Sequence, residues 1–136
     1  MTLSGPSRTA LTPEDRALLR GDAYAWLVSL DADGSPAASV MWVDADETRV
    51  LVNTAEGRRK ERNLTRDPRV TVAVERDPYN WISIEGVVDE RVTGPEAETH
   101  IDALSRRYDG EPWTPVAGQV RVLFKIRPVR IVRYGD

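Results

Sequence analysis

The sequence predicts a mainly β protein with inserted helices, built as a small six-stranded antiparallel barrel. Three observations predict it. Six apolar or alternating runs follow one another at short spacing, and Asp33-Gly34 is a strong hairpin signal. The helical patterns interrupt the strands without the regular alternation that a doubly wound parallel sheet requires.

Residues 1–11 mix Gly, Pro, Ser and Thr without periodicity and read as a mobile arm, leaving 12–136 as one domain. Thr12-Pro13-Glu14-Asp15 is a helix start, with Thr12 as N-cap, Pro13 at the first helical position and acids in the first turn. Gly21 is its stop, and Leu18 and Leu19 are its buried residues. Residues 23–30 form a strand, 36–43 its hairpin partner, and a turn at 44–48 leads into 49–54, so a three-strand meander is expected. A basic helix follows and ends before Pro68, which pushes its predecessor out of the α region. Residues 70–74 (VTVAV) are a buried β-branched strand. In the longer strand 81–92, Gly86 marks a bulge or a close backbone approach. Gly94-Pro95-Glu96 opens a helix reaching about Tyr108, with Ile101, Leu104 and Tyr108 spaced toward the core. After a loop at 109–118, residues 119–134 alternate polar and apolar, with Pro128 an interruption at an edge or a kink.

Composition narrows the chemistry. A chain of 136 residues buries roughly two thirds of its unfolded surface without staples. With no cysteine there is no disulfide framework, thiol catalysis or thiolate metal site, and the single histidine, His100, makes a histidine metal centre improbable. No apolar run approaches the roughly 18 residues of a membrane span. The expectation is a soluble, cytoplasmic protein. A formal net charge of −3 gives no reason to expect nucleic acid or membrane partners.

Against that balance, residues 58–66 hold four arginines and one lysine, with Glu61 the only acid. If Gly57 opens the helix, Arg58, Arg59 and Lys60 crowd a turn that already presents free amides and the positive end of the macrodipole. Arg58, Arg62 and Arg66 also stack like charges at four-residue steps. A phosphate would satisfy both amides and side chains. The competing reading is a solvated basic face balanced by Glu56, Glu61 and Asp67.

These residues carry a resemblance. Asn53-Thr54, Arg58-Arg59-Lys60, Arg62-Asn63-Leu64 and Asp67-Pro68-Arg69-Val70 resemble the strand–helix–strand unit of the pyridoxamine 5′-phosphate oxidase-like split-barrel proteins, a fold of the FMN-binding split-barrel type. Arg58, where the flavin members have serine, and the run Lys60-Glu61-Arg62-Asn63-Leu64 resemble the branch using the deazaflavin coenzyme F420, whose phosphodiester and oligoglutamate tail are more anionic than FMN. The hairpin at 33–36, the Trp42 strand, Ile84-Glu85-Gly86 and Arg127-Pro128 agree, so the likeness covers residues 23–134.

The resemblance implies a homodimer with cofactor sites at the subunit interface and a hydride-transferring F420H2-dependent reductase of an unsaturated or quinone-like acceptor. It implies that Arg58, Arg59, Lys60, Arg62 and Asn63 hold phosphate and tail, and that Asn53, Thr54, Ser39, Val40 and Met41 line the ring system. Trp81 or Tyr79 is the candidate aromatic wall, with plain packing the alternative, as for Trp26, Trp42 and Trp113. No nucleophile–histidine–acid set is visible. His100, among Glu96, Glu98 and Asp102, reads as surface-solvated, and Glu85 as an exposed strand acid. Two other functions stand beside the first: an FMN-binding oxidoreductase, and a non-catalytic binder of cofactor or tetrapyrrole.

Overall fold

The computed structural model describes residues 4–134. One antiparallel sheet of eight strands curls into a split barrel, with three helices set around it. Its strands are β1 (Ser4–Arg8), β2 (Ala25–Leu30), β3 (Pro36–Met41), β4 (Asp44–Ala45), β5 (Val50–Ala55), β6 (Arg69–Asp77), β7 (Asn80–Val92) and β8 (Arg121–Tyr134). The helices are α1 (Pro13–Leu19), α2 (Arg59–Arg66) and α3 (Pro95–Asp109). Seven strands run in the order β3-β2-β6-β7-β8-β5-β4, and β1 pairs with β8.

The barrel expected from sequence is present, with two additions and one correction. The two-residue β4 and the N-terminal β1 raise the strand number from six to eight, and β1 lies within the stretch read as an arm. The expected meander is not formed. β2 and β3 make the hairpin, from Ala25↔Met41 to Leu30↔Pro36, but β5 lies near the opposite end of the order, between β4 and β8. Adjacency in sequence misled here because β5 has two apolar faces to cover. All six of its residues are buried: Val50 and Val52 enter the main core with Phe124, Ile126 and Leu27, while Leu51 joins Leu123 and Ala97 beneath α3. Full burial of each such aliphatic side chain is worth roughly 1.5–3 kcal/mol.

Local signals are realised where they are local. Thr12 Oγ1 accepts from Asp15 N at 3.1 Å and Asp15 Oδ2 accepts from Thr12 N at 2.9 Å, a reciprocal cap on α1. Gly34 turns the β2–β3 hairpin with φ +86°. Pro128 lies in an interior strand, and the kink reading is the one that holds. The β7–β8 register slips there, from Glu85↔Arg130 to Gly86↔Pro128, leaving Val129 as the extra residue. A Cβ on Gly86 would stand 2.6 Å from Ile126 Cγ2 and 2.9 Å from the Arg127 carbonyl oxygen.

Candidate functional site

The basic helix is less unfinished than its sequence suggests. The Gly57 amide donates to Glu61 Oε1 at 2.7 Å, and Thr65 Oγ1 donates to Glu61 Oε2 at 2.7 Å, so a buried carboxylate already serves the helix start. Arg59 Nε donates to Asp31 Oδ1 at 2.9 Å. That bond and one from Asn63 hold the Asp31 carboxyl at about 2. Arg62 reaches the Gly57 carbonyl, and Arg66 donates to the Leu30 carbonyl at 2.7 Å. Asn63 is buried and ties α2 to β2, donating to Ser29 Oγ at 3.1 Å and Asp31 Oδ1 at 3.0 Å. Arg59, Arg62 and Asn63 therefore have partners within the chain.

Among the described residues, the side chains of Arg58 and Lys60 have none. Both line a cavity of about 330 Å³, where Arg121 at the start of β8 joins them. Among the described residues, none of these three cations makes an ion pair with a carboxylate. Arg121 donates to two neutral amide oxygens instead, from Nε to Asn53 Oδ1 at 3.0 Å and from Nη1 to Gln119 Oε1 at 3.2 Å. Burial, then repulsion from Arg58, pulls the Arg121 pKa down to about 10. Burial, with Arg58 and Arg121 beside it, also lowers the Lys60 pKa. Thr54 lies in the same wall, and its buried Oγ1 has no hydrogen-bond partner among the described residues.

An aromatic cluster adjoins these residues. Trp42 stacks on Tyr108 with centroids 5.3 Å apart and planes within 4°, and Trp113 meets Trp42 edge-on at 6.5 Å. The Arg121 guanidinium carbon lies 5.0 Å from the Trp113 ring centroid, joining the cationic end to the aromatic one. Tyr24, Val40, Met41 and Ile101 complete the apolar lining. A second cavity of about 350 Å³ shares Ile101, Trp113 and Arg121 and is otherwise formed by α3 and the loop carrying Pro115 and Val116.

Of the residues singled out from sequence, Val40, Met41, Asn53, Thr54, Arg58 and Lys60 meet in the main cavity. Ser39 lines a small depression of about 120 Å³ on another side of Lys60, with Arg59. Trp81 stacks on Tyr134 at 5.9 Å and does not line the cavity within this chain. Trp26 and Tyr79 are exposed, as is Glu85, which pairs with Arg130 at 3.4 Å.

His100 is a correction. Its side chain is only 9% exposed, with Nε2 3.0 Å from Asp44 Oδ2 and Nδ1 3.1 Å from Asn53 Nδ2. The acids near it in sequence misled, because α3 turns His100 inward toward β4 and β5. Arg121 was missed altogether. It opens an alternating strand and carries no local mark, and only the pairing of Asn53 with Leu123 and Thr54 with Val122 brings it to the site.

The cavity thus offers three unmatched cations, an unpartnered hydroxyl and an adjoining aromatic wall, which together suit a planar ring bearing an anionic tail. The family model described as pyridoxamine 5′-phosphate oxidase matches residues 11–133. Among solved structures, an F420 reductase is similar over 85% of this chain and 94% of its own, with 28% identity and a TM-score of 0.75. A conserved hypothetical protein from Mycobacterium tuberculosis is similar over 96% of this chain and 89% of its own, at 24% identity and a TM-score of 0.73. A heme binding protein from Mycobacterium smegmatis has the same fold over 89% of this chain and 52% of its own, at 20% identity and a TM-score of 0.62. No helix among the described residues is long and apolar enough to cross a membrane.

Proposed function

The chain belongs to the pyridoxamine 5′-phosphate oxidase family, an oxidoreductase family, and from that premise we propose that it is an F420H2-dependent reductase of a small unsaturated or quinone-like acceptor. The observation that carries this reading is the set of three cations, Arg58, Lys60 and Arg121, left without carboxylates in one cavity. Three like charges gathered in one cavity repel one another until a counter-charge arrives, and here the counter-charge is the ligand's. The 28% identical F420 reductase supports the choice of deazaflavin.

When bound, reduced F420 supplies a hydride to an acceptor. The protein's own part is binding and orientation. Arg58, Lys60 and Arg121 hold the phosphodiester and tail, and Thr54 Oγ1 has a free hydrogen bond for the same ligand. Trp42, Met41 and Val40 flank the ring, and the second cavity beside Trp113 takes the acceptor. Tyr24, Trp26 and Val40 are large, apolar and about half exposed near the cavity mouth, which supports a homodimer whose second copy covers that face.

Titration of the purified protein with F420 and, separately, with FMN tests the reading, followed by cofactor fluorescence at low and high salt. Tight, salt-sensitive F420 binding with weak FMN binding is expected, then oxidation of F420H2 by an enone or quinone. Preference for FMN overturns the cofactor assignment, and binding of F420 without turnover over a broad acceptor panel overturns the enzymatic one.

A further inference from the structure

We infer that His100 is a positioning residue: in its neutral form, with the proton on Nε2, it fixes the Asn53 amide and through it holds Arg121 at the wall of the main cavity. The argument follows from donors and acceptors alone. Arg121 Nε–H can only donate, so the Asn53 atom 3.0 Å from it is the carbonyl oxygen. The Asn53 NH2 then faces two groups, the Ala97 carbonyl at 2.9 Å and His100 Nδ1 at 3.1 Å. Ala97 O accepts one hydrogen, so Nδ1 accepts the other and carries no proton. The imidazole proton is therefore on Nε2, where it donates to Asp44 Oδ2 at 3.0 Å. Asp44 is in turn held from the far side by Arg107, Nη2 to Oδ1 at 2.6 Å. The chain Arg107–Asp44–His100–Asn53–Arg121 has one consistent set of hydrogen positions.

A second proton on His100 breaks it. Nδ1–H would face the Asn53 NH2, donor against donor. Flipping the amide sets NH2 against Arg121 Nε–H and carbonyl against the Ala97 carbonyl. Either arrangement loses the hold on Arg121 or on α3. The charged groups around His100 are Asp44 from β4 and Arg107 from α3, with Asp46, Glu96 and Lys125 lining the outer depression that His100 shares. Glu96 and Lys125 pair with each other at 2.6 Å. Arg121 lies beyond Asn53.

The consequence for ligand affinity rests on the anionic-cofactor reading, whereas the positioning of Arg121 does not. His100 is the only histidine in the sequence, so a long-range 1H–15N spectrum of the labelled protein reads its tautomer without ambiguity. The expected result at neutral pH is an unprotonated Nδ1 and a protonated Nε2. An Nδ1–H tautomer or an imidazolium there overturns the inference, whatever the mutants do. In His100→Ala, the Arg121 Nε–H resonance is expected to lose its protection from solvent exchange, and affinity for inorganic pyrophosphate, used as the probe, to fall about tenfold, one hydrogen bond's worth. His100→Asn presents an acceptor where Nδ1 stood and should restore both. An unchanged Arg121 resonance in His100→Ala, or no recovery in His100→Asn, overturns the inference. If the tautomer and the Arg121 resonance behave as expected while neither pyrophosphate nor F420 binds, the positioning role stands and the cofactor assignment fails.

Discussion

Arg59 and Lys60 are neighbours in the first turn of α2 with opposite electrostatic surroundings: Arg59 is paired with Asp31 across the β2 end, and Lys60 points to a cavity shared with two other cations. The Asp31 contact raises the Arg59 pKa, while burial, with Arg58 and Arg121 nearby, lowers that of Lys60. Substituting each by alanine should separate structure from binding. Lys60→Ala is expected to weaken F420 binding at least tenfold while leaving the melting temperature unchanged or slightly higher. Arg59→Ala should lower the melting temperature a little and leave affinity nearly intact. Equal effects of the two on affinity would count against the cavity as the binding site.

Thr54 provides a test independent of charge. Its Oγ1 is buried without a partner, so the free protein already bears the desolvation cost, about 1–3 kcal/mol. Thr54→Val should therefore hold or raise stability in urea unfolding while weakening cofactor binding. A large loss of stability would mean that the hydroxyl has a partner inside the folded chain.

Anion binding should take up protons at alkaline pH. The folded, unliganded chain holds the protons of Lys60 and Arg121 less tightly than the unfolded chain does, the Arg121 value falling to about 10. For such cations the unfolded state binds more protons in that window, so the strain is full at neutral pH and is relieved as pH rises. A bound anion pushes both pKa values back up. Calorimetric titrations in two buffers of different ionisation enthalpy should show proton uptake that grows as pH approaches about 10, with affinity falling over the same range. In Lys60→Ala the uptake should shrink.

At the other end of the barrel the sign reverses. Asp15 is fully buried against Arg133 Nη1 at 3.2 Å and Arg8 Nη1 at 2.6 Å. Burial raises its pKa, but the bonds from Arg8 and Thr12 outweigh that and the net shift is downward. A carboxylate with a depressed folded pKa contributes stability above its ordinary value, 3.8, and loses it as pH falls through the folded value. Asp15→Asn should cost roughly 3 kcal/mol at neutral pH by removing the buried carboxylate from both ion pairs. Its denaturation curves should also depend less on pH below about 4 than those of the parent. Parallel acid limbs in the two proteins would place the acid sensitivity elsewhere.

What could be read from sequence was the chemistry that neighbours in the chain impose on one another. The Thr12 cap, the Asp33-Gly34 turn and the stop before Pro68 all depend on a few adjacent residues, and each is present. The basic stretch was equally visible, and so was its alternative as a balanced surface; the structure divides it between the two. Arg59 finds Asp31, and Arg62 and Arg66 find backbone carbonyls, leaving Arg58 and Lys60 for the cavity. That division depends on where β2 ends relative to α2, which no local pattern encodes. Arg121 and the inward turn of His100 were illegible for the same reason. Both depend on β5 pairing with β8 rather than β3, a choice made by two-sided burial.

The position of β8 also has a consequence for how the protein is made. This one strand pairs with β1, β5 and β7, and it is the last of the eight to leave the ribosome. Until it emerges, β5 and β7 lack their shared neighbour, and the apolar residues beneath α3 have nothing to close on. Helices and the β2–β3 hairpin can form as the nascent chain lengthens, but the joining of sheet halves must await β8. Asn53 and Arg121 meet in that same event, so the ligand cavity is completed together with the fold and cannot bind before the fold is finished.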